Sequence, residues 1–263
     1  MSFQHIEFVL EGGVARITLN RPESANAIDV DMANELLQAA TRCETDPMIR
    51  AVVLTGKGRF FSGGGNVQSF VAAGDEVAGL LNRIIGPLHA AVGCFSRMSA
   101  PLITAINGTA AGAGFSLAIS GDVVLAAESA KLTLAYTRIG MSADGGASFH
   151  LPRIVGPTRA KELMLLNPVL SAAEAKNSGL VTMVVPDLEL EAKTRDLAAS
   201  LANGPTRAFG EVKRLLLASS HNTLEQQLAL EARSMTSLAG NTSDSREGFA
   251  AFAEKRSAKF TGR

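Results

Sequence analysis

Two glycine-rich loops contain the residues of this sequence that are best suited to chemistry. The first covers residues 58–66 and the second covers residues 107–114. Glycine lacks a Cβ atom, so a ligand can approach the backbone of such a loop closely. Where the loop leads into a helix, unbonded amides point outward at the positive end of the helix dipole. Two converging amides can stabilise an oxyanion, and a loop wrapped around a phosphate can bind it.

Neither loop has the pattern of a nucleotide-binding site. No Gly-x4-Gly-Lys-Ser/Thr motif is present, and the pair Gly112 and Gly114 lacks the third glycine and the acidic residue of a dinucleotide site. Small residues also let a strand and a helix pack closely, and this structural interpretation stays open for each loop. The presence of two such loops favours a binding role.

One carboxylate lies next to a further pair of glycines. Asp144 precedes Gly145 and Gly146 and a predicted helix that runs past His150. In an apolar setting this side chain can serve as a general base. Asp is also a frequent helix N-cap, and the two roles are compatible.

The histidines and cysteines do not form a metal-site pattern. No two of the four histidines have ligand spacing, so the sequence predicts no metal. We interpret His150 as a structural residue, and His5 and His221 as exposed. Cys43 and Cys94 lie 51 positions apart among apolar neighbours, which indicates two buried thiols rather than a disulfide.

Composition narrows the class of protein. The 263 residues carry 25 basic and 25 acidic side chains, and 46% of them are hydrophobic. This excludes disorder, and the absence of excess positive charge argues against nucleic-acid partners. Residues 98–121 are uncharged, but Pro101 and several glycines argue against a membrane span. No signal peptide is visible at the N-terminus, so we expect a soluble, cytoplasmic protein without membrane partners.

Strands and helices alternate along the first 195 residues, which predicts an α/β core. Predicted strands cover residues 6–10, 14–19, 51–55, 102–106, 123–127, 132–135 and 181–185. Predicted helices cover residues 31–44 and 77–98, a short stretch that ends near residue 121, and a helix capped by Ser171 and Glu174. Residues 196–263 are predicted to be helical, and their excess of leucine suggests subunit packing.

Four motifs in this order resemble the crotonase (enoyl-CoA hydratase/isomerase) superfamily. They are Asn-Gly-x-Ala-x-Gly-x-Gly at 107–114, Phe-Ser-Gly-Gly-Gly-Asn at 61–66, Gly-Leu-Val from Gly179, and the ending 246–262. The resemblance implies a spiral of ββα units and a C-terminal helical region, residues 196–263, that forms a homotrimer or a dimer of trimers. It also implies an acyl-CoA substrate, a place in fatty-acid β-oxidation, and no cofactor beyond the CoA of the substrate.

The resemblance assigns roles to individual residues. The thioester oxygen would lie between the amides of Gly63 and Ala113. Phe252 and Lys255 would contact the CoA of a neighbouring subunit. Ala25 and the stretch Gly64-Gly65-Asn66 would border the adenine end of the CoA, and Gly112 would also lie at the substrate or its CoA. Most relatives have an acidic residue where this chain has Asn66.

The reaction is predicted from the carboxylates. Hydratases of the superfamily use two glutamates, whose positions here hold Ser116 and Tyr136, and this disfavours hydration. The isomerases have a lone acid near Asp144, which we predict to be the base for a double-bond shift. Aryl-CoA dehalogenases use an Asp here as nucleophile and a His on the preceding helix, which would be His89, with Tyr136 in the aryl pocket. A non-catalytic acyl-CoA binder remains a further alternative.

Overall fold

Two β-sheets and the helices around them make up the computed structural model, which describes residues 3–263. The strands are β1 (Ile6–Glu11), β2 (Val14–Leu19), β3 (Ala51–Gly56), β4 (Phe60–Ser62), β5 (Leu102–Ile106), β6 (Thr109–Ala111), β7 (Val123–Ala127), β8 (Lys131–Thr133), β9 (Leu170–Ser171) and β10 (Met183–Val185). The helices are α1 (Val30–Thr45), α2 (Val67–Ala73), α3 (Val77–Arg97), α4 (Ala113–Ala118), α5 (Ala147–Leu166), α6 (Ala172–Asn177), α7 (Leu190–Ala202), α8 (Thr206–Ser219), α9 (Leu224–Asn241) and α10 (Ser243–Ala253).

The larger sheet has six strands in the order β1-β2-β3-β5-β7-β10. Strands β1 and β2 form an antiparallel hairpin, and every later pairing in this sheet is parallel. Parallel strands buried on both faces need continuous apolar runs, and β3 and β5 have them. Val52 and Leu54 face the layer of α1 and α3, whereas Val53 faces α7.

The smaller sheet, of order β4-β6-β8-β9, brings the two glycine loops together. Strands β4 and β6 follow β3 and β5 after short turns and pair in parallel, Phe60 opposite Thr109. The chain therefore repeats a strand of the large sheet, a strand of the small sheet and a helix. The predicted α/β class, with its spiral of ββα units and helical C-terminal region, is confirmed.

The division of the chain into a core and a helical C-terminal segment stays a prediction. The predicted division between residues 195 and 196 lies inside α7, whose Leu190 and Ala198 pack on the large sheet. Helices α8 to α10 follow, and the last residues of the chain contact Arg50 and the start of α10. The Arg50 guanidinium donates to the carbonyl oxygen of Phe260, and the Asp244 carboxylate accepts from the amides of Thr261 and Gly262.

The helical stretch Val67–Arg97 is the one helix of the described residues that is long and apolar enough to cross a membrane. A 3₁₀ turn at Gly74–Glu76 interrupts it, and its Leu88 and Phe95 pack against α1 in the core. A core helix meets the same criteria of length and composition. The uncharged segment 98–121 forms β5, β6 and α4, and most of it is buried. The cytoplasmic location stays a prediction.

Both cysteines are free and buried, as predicted. Cys43 lies on the buried face of α1, where desolvation raises the pKa of its thiol to about 12. Such a thiol stays protonated at neutral pH and behaves as a small apolar side chain.

Candidate active site

A cavity of about 220 Å³ lies between the two glycine loops, α3 and the segment before α5. Its polar side chains are those of Tyr136, Ser142 and Asp144. The rest of its side-chain lining is apolar: Ile28, Val67, Phe70, Leu81, Ile84, Ile85, Leu88, Ala113, Ala135, Ile139 and Met141. An engineered cavity of about 150 Å³ can hold benzene, so this cavity has room for an aromatic ring or a short acyl chain.

The two loops approach each other so closely that Gly64 has no space for a side chain. Its φ is +92°, and a Cβ atom there would lie 2.7 Å from the Ala111 carbonyl oxygen and 3.2 Å from the Ala113 nitrogen. Only glycine combines this backbone conformation with this contact. The contact places the Gly63–Gly65 backbone beside the start of α4.

Two backbone amides at the cavity are available to a ligand. Ala113 is the first residue of α4, so its amide has no partner within that helix. Gly65 also lines the cavity. Within residues 3–263, neither amide donates a hydrogen bond. The pair has the character of an oxyanion hole.

Gly63, predicted as one of the two donors, has a different role. Its amide donates to the carbonyl oxygen of Ala25 at 2.8 Å, so it is not available to a substrate oxygen in this structure. Ile28 pairs with Gly65 through a parallel bridge, and its amide donates to the Gly64 carbonyl oxygen. Both Gly63 and Gly65 line the cavity, but of these two amides only that of Gly65 is without a partner among the described residues.

The other residues expected at the CoA have clear structural positions. Ala25 is half-buried against Gly63, and Gly112 lines the cavity. The Asn66 side chain accepts from the amide of Ser69 at 3.2 Å and so caps α2. Phe252 and Lys255, at the end of α10, do not line the cavity of their own chain, and Phe252 is 87% exposed.

Asp144 is linked to both residues that occupy the hydratase glutamate positions. The Tyr136 hydroxyl donates to Asp144 Oδ1 at 2.6 Å, and the Ser116 Oγ lies 2.8 Å from the Tyr136 hydroxyl. Desolvation and the neighbouring Asp144 carboxylate raise the pKa of Tyr136, so the phenol stays neutral. No described residue donates to Asp144 Oδ2.

Asp144 is not a helix cap. The residue in the N-cap position of α5 is Gly146, without a side-chain bond, and the contact of Asp144 with α5 is made by its backbone carbonyl to Ala147. The capping interpretation is therefore wrong, and Asp144 lines the cavity instead.

The histidine on α3 contacts the loop that carries the carboxylate. His89 is exposed, does not line the cavity, and accepts from the Gly145 amide through Nε2 at 3.0 Å. This bond holds the residue that follows Asp144. His150 packs edge-to-face on Phe149, and burial together with Arg153 lowers its pKa, which supports the structural interpretation.

Comparison with known proteins identifies the family. The family model described as enoyl-CoA hydratase/isomerase matches residues 10–263. The chain belongs to this family. A probable enoyl-CoA hydratase of Rhodobacter capsulatus is 43% identical over 263 residues, which is all of both chains. The 1,2-epoxyphenylacetyl-CoA isomerase of Escherichia coli is 39% identical, over 98% of this chain and 100% of that one.

Solved structures agree with this assignment. The crystal structure of an enoyl-CoA hydratase from Polaromonas sp. JS666 superposes with a TM-score of 0.92 at 34% identity, covering 97% of this chain and 99% of the other. The resemblance to the crotonase superfamily is thus confirmed. The names of the relatives include different reactions, so the family establishes an acyl-CoA enzyme and leaves its reaction to the geometry of the site.

Proposed function

We propose that the protein is an enoyl-CoA isomerase in which Asp144 moves a proton and the amides of Gly65 and Ala113 hold the thioester oxygen. One observation carries the proposal: a carboxylate with an unbonded oxygen lines an apolar cavity that two unpartnered amides also line. An apolar cavity strengthens each charge interaction and keeps competing water away from the intermediate.

The chemistry needs one base and one oxyanion site. The Asp144 carboxylate takes a proton from C2 of a 3-enoyl thioester, and the electron pair of the broken C–H bond enters a dienolate. The negative charge that develops on the thioester oxygen is held by the two amides. Asp144 then returns the proton to C4, which leaves the double bond between C2 and C3.

Hydration of a 2-enoyl thioester is the second candidate, because the relative with 43% identity carries that name. Hydration requires acid–base groups that hold and activate a water. At the two positions in question, Ser116 and Tyr136 bond directly to each other at 2.8 Å, and this distance leaves no place for a water between them. The contact therefore favours isomerisation.

A hydrolytic aryl-CoA reaction would use His89 to activate water. The imidazole Nε2 of His89 already accepts from the Gly145 amide, and the side chain lies outside the cavity lining. This geometry disfavours the hydrolytic role and favours one in which His89 fixes the loop of Asp144.

We also propose that the active enzyme is a homotrimer or a dimer of trimers. Large apolar side chains remain exposed on the C-terminal helices, among them Leu216, Leu228, Met235 and Phe249. Phe252 and Lys255 would then meet the CoA bound to a neighbouring subunit, since their own cavity lacks them. Burial of such a surface supplies the driving force for association.

The decisive experiment measures isomerisation of a 3-enoyl-CoA by wild type and Asp144→Asn. The amide keeps the shape of the carboxylate but cannot accept the proton, so we expect kcat to fall at least about 10²-fold. Asp196→Asn serves as the matched control, because Asp196 is exposed and forms no hydrogen bond or ion pair with the described residues. Brisk hydration of a 2-enoyl-CoA without isomerisation would reject the proposal. Binding of acyl-CoA without turnover of either substrate would indicate a binding protein.

A further inference from the structure

We propose that Tyr136 is a positioning residue that occupies one oxygen of Asp144, so that Oδ2 is the single proton acceptor at the cavity. The inference rests on the proposed isomerase function. It concerns how the base is held.

The positions of the hydroxyl hydrogens determine which group donates and which accepts in the hydrogen bonds that join Ser116, Tyr136 and Asp144. Tyr136 has one hydroxyl hydrogen, and at 2.6 Å from Asp144 Oδ1 that hydrogen lies in the hydrogen bond to the carboxylate. Ser116 Oγ, 2.8 Å from the phenol oxygen, is therefore the donor in its contact with Tyr136, since the other acceptor within its reach, the Gly112 carbonyl oxygen, is farther away at 3.4 Å. The chain of bonds runs from Ser116 through Tyr136 to Asp144 and ends on the anion. Ser116 is fully buried, so water does not compete for its hydroxyl.

Contacts of the neighbouring residues stabilise the backbone conformation around Tyr136. Ala135 adopts φ 59°, a left-handed conformation that is unfavourable for alanine, and directs the chain into the 3₁₀ turn Tyr136–Ile139. Arg138 donates to the Asn167 carbonyl oxygen at 2.6 Å, and the Asn167 side-chain amide donates to the Thr137 hydroxyl. Surrounding contacts thus maintain a strained turn whose effect is to present the phenol to Asp144.

This arrangement restricts the path of the proton. With Oδ1 engaged, the proton that Oδ2 removes from one carbon stays on Oδ2 until it is delivered to the next. Both transfers then take place on one face of the acyl chain. A hydrogen bond donated to the carboxylate also stabilises its ionised form, which is the form that acts as the base.

The first test uses the fact that Tyr136 is the only tyrosine of the chain, which has no tryptophan. Tyrosine emission therefore reports this phenol alone, and donation to a carboxylate quenches it. We expect stronger emission from Asp144→Asn than from wild type at neutral pH, with Asp196→Asn unchanged. Equal emission from the three proteins would overturn the proposal. This readout needs no turnover, so it decides the contact even if the isomerase assay fails.

The second test is kinetic and uses Tyr136→Phe and Ser116→Ala. Loss of the contact that fixes the orientation of the Asp144 carboxylate predicts that Tyr136→Phe lowers kcat about 10- to 100-fold. We expect KM to change little, so that the effect falls on kcat, with a smaller decrease of kcat for Ser116→Ala. Ser148→Ala, an exposed hydroxyl on α5 that makes no hydrogen bond with the described residues, is the control. An active wild type whose Tyr136→Phe variant keeps its kcat, or loses activity only through a higher KM, would refute the positioning role and leave the proposed function intact.

Discussion

Replacing Gly64 with alanine tests whether the contact between the two glycine loops builds the oxyanion site. The new Cβ atom would lie 2.7 Å from the Ala111 carbonyl oxygen, well inside van der Waals contact, at φ +92°. The unfavourable backbone conformation costs about 1–3 kcal/mol, and overpacking against backbone costs about as much again. Together they amount to about 2–6 kcal/mol, a large part of the stability of an ordinary protein. The melting temperature should fall by about 4–20 °C.

The same substitution should impair catalysis, because the displaced backbone is that of residues 111–113 and carries the Ala113 amide. Loss of one oxyanion donor typically lowers the rate about 10²–10³-fold. The assay is kcat/KM for a 3-enoyl-CoA at a temperature where the variant remains folded by circular dichroism.

Gly12→Ala is the matched control. Gly12 also has a positive φ, +56°, but a Cβ atom there would meet nothing within 4 Å. It lies in the β1–β2 turn, so this variant should show backbone strain alone and retain full kcat/KM. If Gly64→Ala kept wild-type kcat/KM and were no less stable than Gly12→Ala, the proposed contribution of the loop contact would be refuted.

Two further predictions concern the amide of α4 and the C-terminal segment. Ala113→Pro removes the amide hydrogen at the first helical position, where proline is tolerated, and should lower kcat about 10²–10³-fold. The control Ala113→Gly keeps the donor and should keep most of the activity. Equal kcat values for the two variants would contradict the oxyanion role of the Ala113 amide. Arg256, together with the Lys259 amide, lowers the pKa of Glu247 from 4.5 to about 2, so the stability that this bond contributes is present above about pH 4.5 and is lost as the pH falls toward 2. Between pH 6 and pH 3 the melting temperature of wild type should therefore fall more than that of Glu247→Gln, and parallel curves would reject the assignment.

Local patterns in the sequence were sufficient to predict the main elements of the core. Uninterrupted apolar runs marked β3 and β5, and the reciprocal bonds of Ser171 and Glu174 form the predicted capping box. The glycine loops follow these strands as expected. Each of these features is determined by a few residues that are close in sequence, and local sequence patterns therefore predict them well.

The arrangement of the site depends on contacts that no local pattern encodes. Which of the amides of Gly63 and Gly65 stays unpartnered depends on contacts with Ala25 and Ile28, which lie 38 and 37 positions earlier. The bond between Tyr136 and Asp144 depends on a 3₁₀ turn that begins with a left-handed alanine, a conformation that composition does not suggest. Residues 67–76 include Val67 and Phe70 of the cavity lining and form a short helix followed by a 3₁₀ turn. This segment is too short to show the helical periodicity by which a longer helix can be recognised.

The strands of the large sheet stand side by side in the order in which they are synthesised. Each new strand pairs with one that the chain already contains, so the sheet can grow at one edge while translation continues. Tyr136 and Asp144 precede α5, so the carboxylate and both glycine loops can take up their places before the last hundred residues emerge. The bond between Arg50 and the Phe260 carbonyl, 210 residues apart, can close only at the end. This bond joins the last residues of the chain to a segment that was synthesised early.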